Sequence, residues 1–352
     1  MRKLLFGIPL GLAAALLVFD SMLVRLVLPY RELVVVLLLT QLAIAITMFW
    51  RRRMIGHVRL PVVLAGIVVI LLAVTYRREY AGHSEQRVSF QSDGASLVGT
   101  LYTPDTAGLH PAIILVHGSG KFPRRMYRYW AKNLVDIGFV VLAYDKRGVG
   151  DSGGKYEGEN NTSDENIRQL ARDASAAVNE VAARKDVSRH VGLMGISQGG
   201  WIAPLAASFN PHVRFLILHS GPTVSVHEEN FYSRLTGDGH GKSAIPLEEA
   251  ARKTELESPS GFDPRLVLGK LDVTGLWLFG SADASIPVSK SVAVLQQEVG
   301  RGQAYEFHIF PSANHLLLTR TGLLPDVAKG YWPAIIEWSG RMKDRPLTAR
   351  EN

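Results

Sequence analysis

Ser197 lies in a segment whose residue types suit nucleophilic chemistry. Gly195, Ser197 and Gly199 form a G-x-S-x-G motif between the apolar run Val191–Met194 and the alanine-rich segment Trp201–Phe209. A buried strand, a tight turn with serine at its tip and a helix are the context in which this motif presents a reactive hydroxyl. The glycines let strand and helix pass closely. A glycine-rich turn with an incidental serine is the alternative, so other residues must decide between the two.

A serine hydroxyl becomes a nucleophile when a base removes its proton and a third group orients that base. Two later loops offer these groups, since Asp283 follows the apolar run Gly275–Phe279 and His315 follows Ala304–Phe310. The chain order Ser, Asp, His is the one that accompanies a strand-to-helix serine turn. We predict that Asp283 orients His315, which takes the proton of Ser197. The alternatives are a turn or helix-cap role for Asp283 and a surface position for His315.

The charge that develops when serine attacks a carbonyl needs two hydrogen-bond donors already aimed at it. The backbone N–H of Gln198, directly after the serine, is one candidate. The second is expected in the His-Gly-Ser-Gly loop after the apolar run Ala112–Val116. We predict the N–H of Ser119, with that of Gly118 as the neighbouring alternative. Because both donors belong to the main chain, a Gln198→Ala variant should retain its donor.

The other histidines of interest are weaker candidates for the base. His117 ends a predicted strand and is expected to make structural hydrogen bonds, whereas His219 and His308 fall within predicted strands. His227 and His240 lie in an irregular insertion and are expected, at most, to contact a substrate.

The elements that must position these residues alternate along the second part of the chain. A predicted β-hairpin over residues 87–102 precedes continuous apolar runs typical of strands buried on both faces. Helical segments between these runs indicate an α/β fold with a mostly parallel sheet, whose ligands collect at the carboxyl ends of the strands. The predicted strands are 112–116, 139–144, 191–194, 213–219, 275–279 and 304–310, and the predicted helices are 124–137, 162–185, 201–209, 246–257, 287–298 and 325–342.

The segment near 222–264 interrupts this alternation, since it is polar, charged and too long for an ordinary connection. We predict a small cap insertion over the carboxyl edge of the sheet, loop-like except for one short helix over 246–257. A disordered surface insertion is the alternative.

The first 80 residues differ sharply in composition and contain apolar blocks near 4–28, 33–50 and 60–76. Because about 17 to 20 apolar residues match the thickness of a bilayer, we predict a membrane anchor of about three helices over 1–80 and a folded domain over 81–352. The first block, which Asp20 and Arg25 interrupt, is also compatible with a signal peptide, although no convincing cleavage site follows it.

Arginines are concentrated between the second and third blocks, at Arg51, Arg52, Arg53 and Arg59. By the positive-inside rule this loop and the N-terminus face the cytoplasm, although the arginines shortly after Tyr76 weaken the bias. We expect an integral protein of a bacterial inner membrane, with the lipid bilayer as a partner and the folded domain on the periplasmic or extracellular side.

The amino-acid composition excludes cysteine-based sites and argues against a nucleic-acid partner. The 352-residue chain has no cysteine, which rules out disulfides, cysteine–zinc sites and a cysteine nucleophile. Its net charge of +7 arises partly at the membrane flanks, and no basic stripe with interleaved aromatic residues predicts a nucleic-acid partner.

Five segments together resemble the α/β-hydrolase superfamily, over residues 87 to 345 or so. They are His117–Gly120, Asp145–Ser152, Gly195–Gly200, Gly280–Pro287 and Asn314–His315. Within the superfamily the chain is similar to bacterial esterases and to the prolyl-oligopeptidase and serine-aminopeptidase-like branch. The resemblance implies an α/β-hydrolase fold with a sheet of about eight strands and the triad Ser197, Asp283 and His315. The second segment is a fold signature, which we attribute to turn geometry and not to catalysis.

This resemblance implies a membrane-anchored serine hydrolase that cleaves carboxylic esters through an acyl-enzyme, with no metal and no cofactor. A peptidase, an amidase or a thioesterase would use the same triad, and a non-catalytic binding protein on this fold is the alternative of another class. The expected substrate is a small-molecule ester, a lipid or a peptide. An aminopeptidase would need carboxylates that hold a free amine, for which Glu228, Glu229, Glu248 and Glu249 are candidates by location; a solvated charged face is the simpler interpretation.

Overall fold

The computed structural model describes residues 81–158, 161–238, 244–320 and 325–343. The three predicted membrane blocks and His240 lie outside the described residues. Within those ranges, no helix is both long and apolar enough to cross a membrane. The chain divides after Ser84, and apart from 81–84 the described residues belong to the unit Glu85–Asn352.

The main sheet has eight strands: β1 (His83–Ser92), β2 (Ala95–Pro104), β3 (His110–Val116), β4 (Val140–Tyr144), β5 (Val187–Ile196), β6 (Val213–His219), β7 (Thr274–Gly280) and β8 (Tyr305–Phe310). Their spatial order is β1-β2-β4-β3-β5-β6-β7-β8. β2 pairs antiparallel with β4, and the pairs from β4 to β8 are parallel. The predicted mostly parallel sheet of about eight strands is confirmed.

The predicted hairpin is present as β1 and β2. The two residues between them, Asp93 and Gly94, have φ angles of 41° and 72°. Two successive positive φ angles give the turn whose twist matches that of the flanking strands, and Asp-Gly is a preferred pair for it.

The helices are α1 (Arg128–Asp136), α2 (Asp164–Ala182), α3 (Gly199–Phe209), α4 (Val226–Thr236), α5 (Leu247–Glu255), α6 (Arg265–Leu268), α7 (Val288–Gly300) and α8 (Tyr331–Lys343). α2 begins at the predicted polar cluster, where the Ser163 hydroxyl accepts a hydrogen bond from the Asn166 N–H at 3.3 Å. This side-chain cap satisfies one of the free N–H groups of the first turn.

Helices cover both faces of the sheet. Ile114 of β3 belongs to the same apolar cluster as residues of α2, α3 and α7, whereas its neighbour Ile113 is buried outside that cluster. The second face is covered by α1 and α8, since the ring of Trp130 lies 5.6 Å from that of His219 and the ring of Trp338 lies 6.1 Å from that of Phe215, both in β6. Strands that are buried on both faces explain the continuous apolar runs of the sequence.

Two sequence-based predictions are wrong in detail. The segment 222–264 contains the helix α4 in addition to the predicted short helix, because its apolar residues lack a clear helical period while its polar Glu228 is buried. The last helix begins at Tyr331 and not at Pro325, because Asp326–Val327 (β10) pairs with Leu318–Thr319 (β9) in a small separate sheet.

The parallel strands bring four loops to one edge of the sheet. Those loops follow β3, β5, β7 and β8 and carry, respectively, Ser119, Ser197, Asp283 and His315. Residues far apart in sequence therefore meet where ligands of such sheets bind.

Candidate active site

The turn between β5 and α3 holds Ser197 in a strained conformation. Its φ angle is 51°, a left-handed value that non-glycine residues rarely adopt, and its N–H donates to the His219 carbonyl at 3.0 Å. A Cβ at Gly195 would lie 2.3 Å from the carbonyl oxygen of Gly199, and one at Gly199 would lie 2.8 Å from that of Val116. Both motif glycines are therefore required by the close approach of main chain.

The three predicted triad residues lie in one hydrogen-bonded line. Nε2 of His315 is 2.9 Å from Oγ of Ser197. Nδ1 of the same ring is 2.9 Å from Oδ2 and 3.1 Å from Oδ1 of Asp283. This geometry gives a hydroxyl, an imidazole and a carboxylate in the order that a proton transfer from the hydroxyl needs.

Asp283 is held by its own loop as well as by the histidine. The side chain is almost fully buried, and Oδ1 accepts the N–H groups of Ser285 at 2.8 Å and of Ile286 at 3.0 Å. The predicted alternative, that Asp283 serves the turn before the next helix, thus describes a second contact of the same carboxylate. A carboxylate fixed in this way keeps the imidazole in one orientation.

The pKa of His315 is raised above the ordinary histidine value. Burial alone would lower this pKa, but the carboxylate of Asp283, through its charge and its hydrogen bond, outweighs burial, with smaller contributions from Asp238 and Glu229. The ring is therefore a stronger base than a free imidazole. Its side chain keeps 21 % of its surface exposed, so a substrate can reach it.

The two loops predicted to bind the oxyanion lie beside Ser197. Their N–H groups differ in whether a protein acceptor already occupies them. The Gly118 N–H donates to the Tyr127 hydroxyl at 3.1 Å and is not available to a substrate. The N–H groups of Ser119 and Gln198 have no hydrogen-bond acceptor among the described residues. Of the two predicted alternatives in the first loop, the geometry favours Ser119.

The other histidines occupy the structural places predicted for them. His117 is buried, its Nε2 contacts the Tyr144 carbonyl, and burial lowers its pKa to about 3. His219 is buried in β6, with Nδ1 3.0 Å from the Tyr331 hydroxyl, and its pKa also falls to about 3 on burial. His308 lies in β8. The buried rings of His117 and His219 cannot reach a substrate, so neither can serve as the base.

The Asp145–Ser152 segment forms a self-contained turn. The buried Asp145 carboxylate accepts the N–H groups of Arg124 at 2.6 Å and Asp151 at 2.9 Å, and it pairs with the Arg124 guanidinium. The Ser152 hydroxyl donates to the Asp145 carbonyl at 2.7 Å. These contacts support a structural role for Asp145 in the geometry of the turn. The side chain of Lys146, in the same segment, instead contacts residues of the site.

Sequence reasoning missed the site contacts of Lys146. Its Nζ donates to the Gly118 carbonyl and, at 3.3 Å, to Oε1 of Gln198. A lysine two residues after the buried apolar run of β4, in a chain segment adjoining the site, was the available signal. This signal was overlooked because the superfamily pattern accounts for the whole segment Asp145–Ser152 as a turn.

Helix α4 carries two acidic side chains with different surroundings: Glu229 lies near the triad, whereas Glu228 forms ion pairs away from it. Glu228 is fully buried and pairs with Arg265 at 2.5 Å and Lys290 at 2.8 Å, so it cannot hold a substrate amine. Glu229 is half-buried and interacts electrostatically with His315 and Asp283. Burial, reinforced by Asp283 and Asp238, raises the pKa of Glu229 to about 8. Tyr232 of the same helix donates to the Asp283 carbonyl at 3.0 Å.

In the described ranges, no group of three or more histidine and acidic side chains could hold a metal ion.

Residues 109–252 match a family model described as serine aminopeptidase, S33. The esterase EstD of Thermotoga maritima is 25 % identical over 251 residues, which are 64 % of this chain and 59 % of that protein. The chain thus spans about three fifths of the length of this curated relative.

Two solved structures resemble the described fold. The acylaminoacyl peptidase of Pyrococcus horikoshii aligns with a TM-score of 0.52 and 19 % identity over 69 % of this chain and 39 % of its own. The esterase Pf2001 of Pyrococcus furiosus aligns with a TM-score of 0.51 and 18 % identity over 74 % of this chain and 90 % of its own. The fold is that of the α/β-hydrolase superfamily. At these identities the solved structures establish the fold alone.

Proposed function

We propose that the chain is a serine hydrolase that cleaves carboxylic esters, with Ser197 as nucleophile, His315 as general base and acid, and Asp283 as the group that orients the imidazole. The observation that carries this proposal is the unbroken line of hydrogen bonds from the Ser197 hydroxyl through His315 to Asp283. The half-buried serine lies on a strained turn at the ligand edge of the sheet, where substrate can reach it.

The proposed reaction has two halves. Ser197 Oγ attacks the ester carbonyl carbon while His315 Nε2 takes the hydroxyl proton, and the carbonyl oxygen becomes an oxyanion that the N–H groups of Ser119 and Gln198 bind. Collapse of this intermediate breaks the bond to the alkoxy group, which receives the proton from His315, and leaves an acyl-serine. Water then attacks the acyl carbon with the same base, which releases the acid and restores Ser197.

Ester hydrolysis is favoured as the reaction by the name of the curated relative, an esterase. The substrate class is therefore proposed to be a small-molecule ester. No metal or organic cofactor takes part in the steps above, because nucleophile, base and oxyanion donors all come from the chain.

The test is hydrolysis of a short p-nitrophenyl ester by the purified full-length protein and by two serine variants. Ser197→Ala removes the nucleophile and should abolish both turnover and labelling by a fluorophosphonate probe. Ser208→Ala, an exposed serine in α3, is the matched control and should behave like the unaltered protein. Unchanged turnover in Ser197→Ala contradicts the assignment of the nucleophile. Absence of turnover and labelling in the unaltered protein favours a non-catalytic binding role.

A second candidate function is hydrolysis of peptides or amides that carry a free amine, and Glu229 is the observation that favours it. Its carboxyl group interacts with the triad and has no ion-pair partner among the described side chains. A bound ammonium would stabilise its ionised form. Under this function Glu229→Gln raises KM for an aminoacyl substrate and leaves KM for an uncharged ester unchanged. Equal effects on both substrates exclude an amine-binding role. An ester, thioester and peptide panel compares the reaction classes directly.

A further inference from the structure

Lys146 is a buried lysine whose amino group contacts two neutral acceptors. Only 3 % of its surface is exposed. Its Nζ donates to the carbonyl oxygen of Gly118 and, at 3.3 Å, to Oε1 of Gln198. It forms no ion pair with a carboxylate of the described chain. Lysines are almost never fully buried without a charged partner, so this placement is costly and needs an explanation.

The two acceptors belong to the two segments that supply the oxyanion donors. The Gly118 carbonyl and the Ser119 N–H are parts of one planar peptide unit, so a hydrogen bond that fixes the carbonyl also fixes the direction of the N–H. Gln198 carries the second donor on its own main chain. Lys146 therefore links the peptide unit of one donor to the residue of the other.

The other main-chain hydrogen-bonding groups of Gly118 and Ser119 are already engaged. The Gly118 N–H donates to Tyr127 at 3.1 Å, and the Ser119 carbonyl accepts from the Tyr156 hydroxyl at 2.9 Å. With the Gly118 carbonyl held by Lys146, the Ser119 N–H is the main-chain group of these two residues that is left for a substrate. The lysine itself is held by the turn, since its carbonyl accepts from the Val149 N–H at 2.9 Å.

We propose that Lys146 is a positioning residue that aims the Ser119 N–H at the substrate oxyanion and polarises the peptide unit to which that N–H belongs. This inference rests on the proposed function and adds to it a side chain that acts through the main chain. A cation on a peptide carbonyl withdraws electron density from the amide, which makes its N–H a stronger donor to a developing negative charge.

The charge on Lys146 is sensitive to pH. Burial lowers the pKa of Lys146 to about 7. The groups that face it are the neutral ring of His117, the Tyr156 ring at 5.9 Å from Nζ, and the side chains of Arg147, Lys155 and Glu157, which line the same small cavity. Polarisation is therefore strongest below pH 7 and weakens as Lys146 loses its proton.

The decisive comparison is between Lys146→Met and Lys132→Met in the full-length protein. Lys132 is also buried but pairs with Asp136 on helix α1, away from the site. We expect Lys146→Met to lower kcat by about 10- to 100-fold with KM little changed, less than the roughly 100- to 1,000-fold loss on removing a direct oxyanion donor. Affinity for a trifluoromethyl ketone, which forms a tetrahedral adduct with Ser197, should fall in parallel. Lys132→Met should retain kcat and ketone affinity.

A purely structural role for Lys146 predicts a different result. Thermal unfolding of Lys146→Met would change while kcat and ketone affinity of the folded fraction stayed at the unaltered level, and this outcome overturns the inference. If Lys146→Met does not fold, the Lys146→Arg variant provides the test. Because arginine keeps its charge, this variant should retain kcat and should lack the alkaline decline of kcat that deprotonation of Lys146 is expected to cause. An unchanged alkaline decline in Lys146→Arg contradicts the inference.

Failure of the inference is distinguishable from failure of the proposed function. Turnover that depends on Ser197 but not on Lys146 overturns the inference alone. Absence of Ser197-dependent turnover and of fluorophosphonate labelling in the unaltered protein overturns the proposed function, and the inference with it.

Discussion

The Nε2 atom of His315 lies 2.9 Å from the Oγ atom of Ser197, although 118 positions separate the two residues in the chain. The contact exists because β5 and β8 are parallel strands of one sheet and end at the same edge. The turn between β5 and α3 presents Ser197 at this edge, and the loop after β8 brings the imidazole of His315 to it. The reactive contact is thus set by sheet topology and by two short loops.

The raised pKa of His315 predicts the acid limb of the pH profile. The base is active when its ring is neutral, so kcat/KM should rise with pH through the pKa of the free protein. Because Asp283 raises this pKa, the midpoint should lie above the ordinary histidine value of 6.5. Initial rates with a p-nitrophenyl ester from pH 5 to about 8 measure it. A midpoint below the ordinary value contradicts the electrostatic role given to the carboxylate.

Replacing Asp283 by Asn should separate geometry from charge. The amide keeps the size of the side chain but cannot stabilise the imidazolium, and it favours the wrong tautomer, so we expect kcat to fall by roughly 10⁴-fold. The pKa of His315 should also fall, because its main stabilising charge is lost. Steady-state rates and the acid-limb midpoint are the measurements. Asp93→Asn, at the exposed hairpin turn, is the matched control and should leave both unchanged. Retention of kcat in Asp283→Asn rejects the triad.

The parts of this molecule that were predictable from sequence are those governed by local patterns. Continuous apolar runs identify the strands that are buried on both faces, and Asp93–Gly94 identifies the hairpin turn. The positions of Asp283 and His315 at strand ends could be inferred because parallel strands place their carboxyl ends together. No pattern gives the distances between these groups, which depend on loop conformation.

The parts that were missed depend on long-range contacts. Helix α4 has no clear apolar face, and its buried Glu228 pairs with Arg265 and Lys290, which lie 37 positions or more away. The residues around Lys146 in the sequence are those expected around an ordinary surface lysine near a turn. Its place two residues after β4 was a weak signal, and its burial against Gly118 and Gln198 is what reveals its contacts with the site.

The buried Glu228 should anchor the cap helix. Glu228→Gln leaves the cations of Arg265 and Lys290 without their main partner, and we expect a loss of about 3 kcal/mol in the free energy of unfolding at pH 7. Glu249→Gln, which removes an exposed i,i+4 pair with Lys253, should cost less than about 0.5 kcal/mol. Chemical denaturation, followed by tryptophan fluorescence, measures both. Equal stability of the two variants contradicts the anchoring role.

The same side chain predicts how stability depends on acid. Burial alone would raise the pKa of Glu228, but hydrogen bonds from Lys290, Ser225 and Arg265 hold it at about 2, below its ordinary value of 4.5. Because the folded-state pKa is depressed, the stabilisation is fully present above pH 4.5 and is lost as pH falls from there towards 2. The difference in stability between the unaltered protein and Glu228→Gln should therefore shrink across this interval. A stability difference that stays constant across this pH interval contradicts the role given to the ionised Glu228.

The membrane topology is a further prediction, drawn from residues 1–80 of the sequence. With three crossings and the arginine-rich loop 51–59 in the cytoplasm, we predict that the C-terminus lies outside. Fusion of alkaline phosphatase after Asn352 should give an active reporter, and fusion of a cytoplasm-specific fluorescent protein should not. Replacing the loop arginines by neutral residues should weaken this orientation, because they supply most of the positive bias. Activity of the cytoplasm-specific reporter alone would contradict the predicted topology and would place residues 81–352 inside.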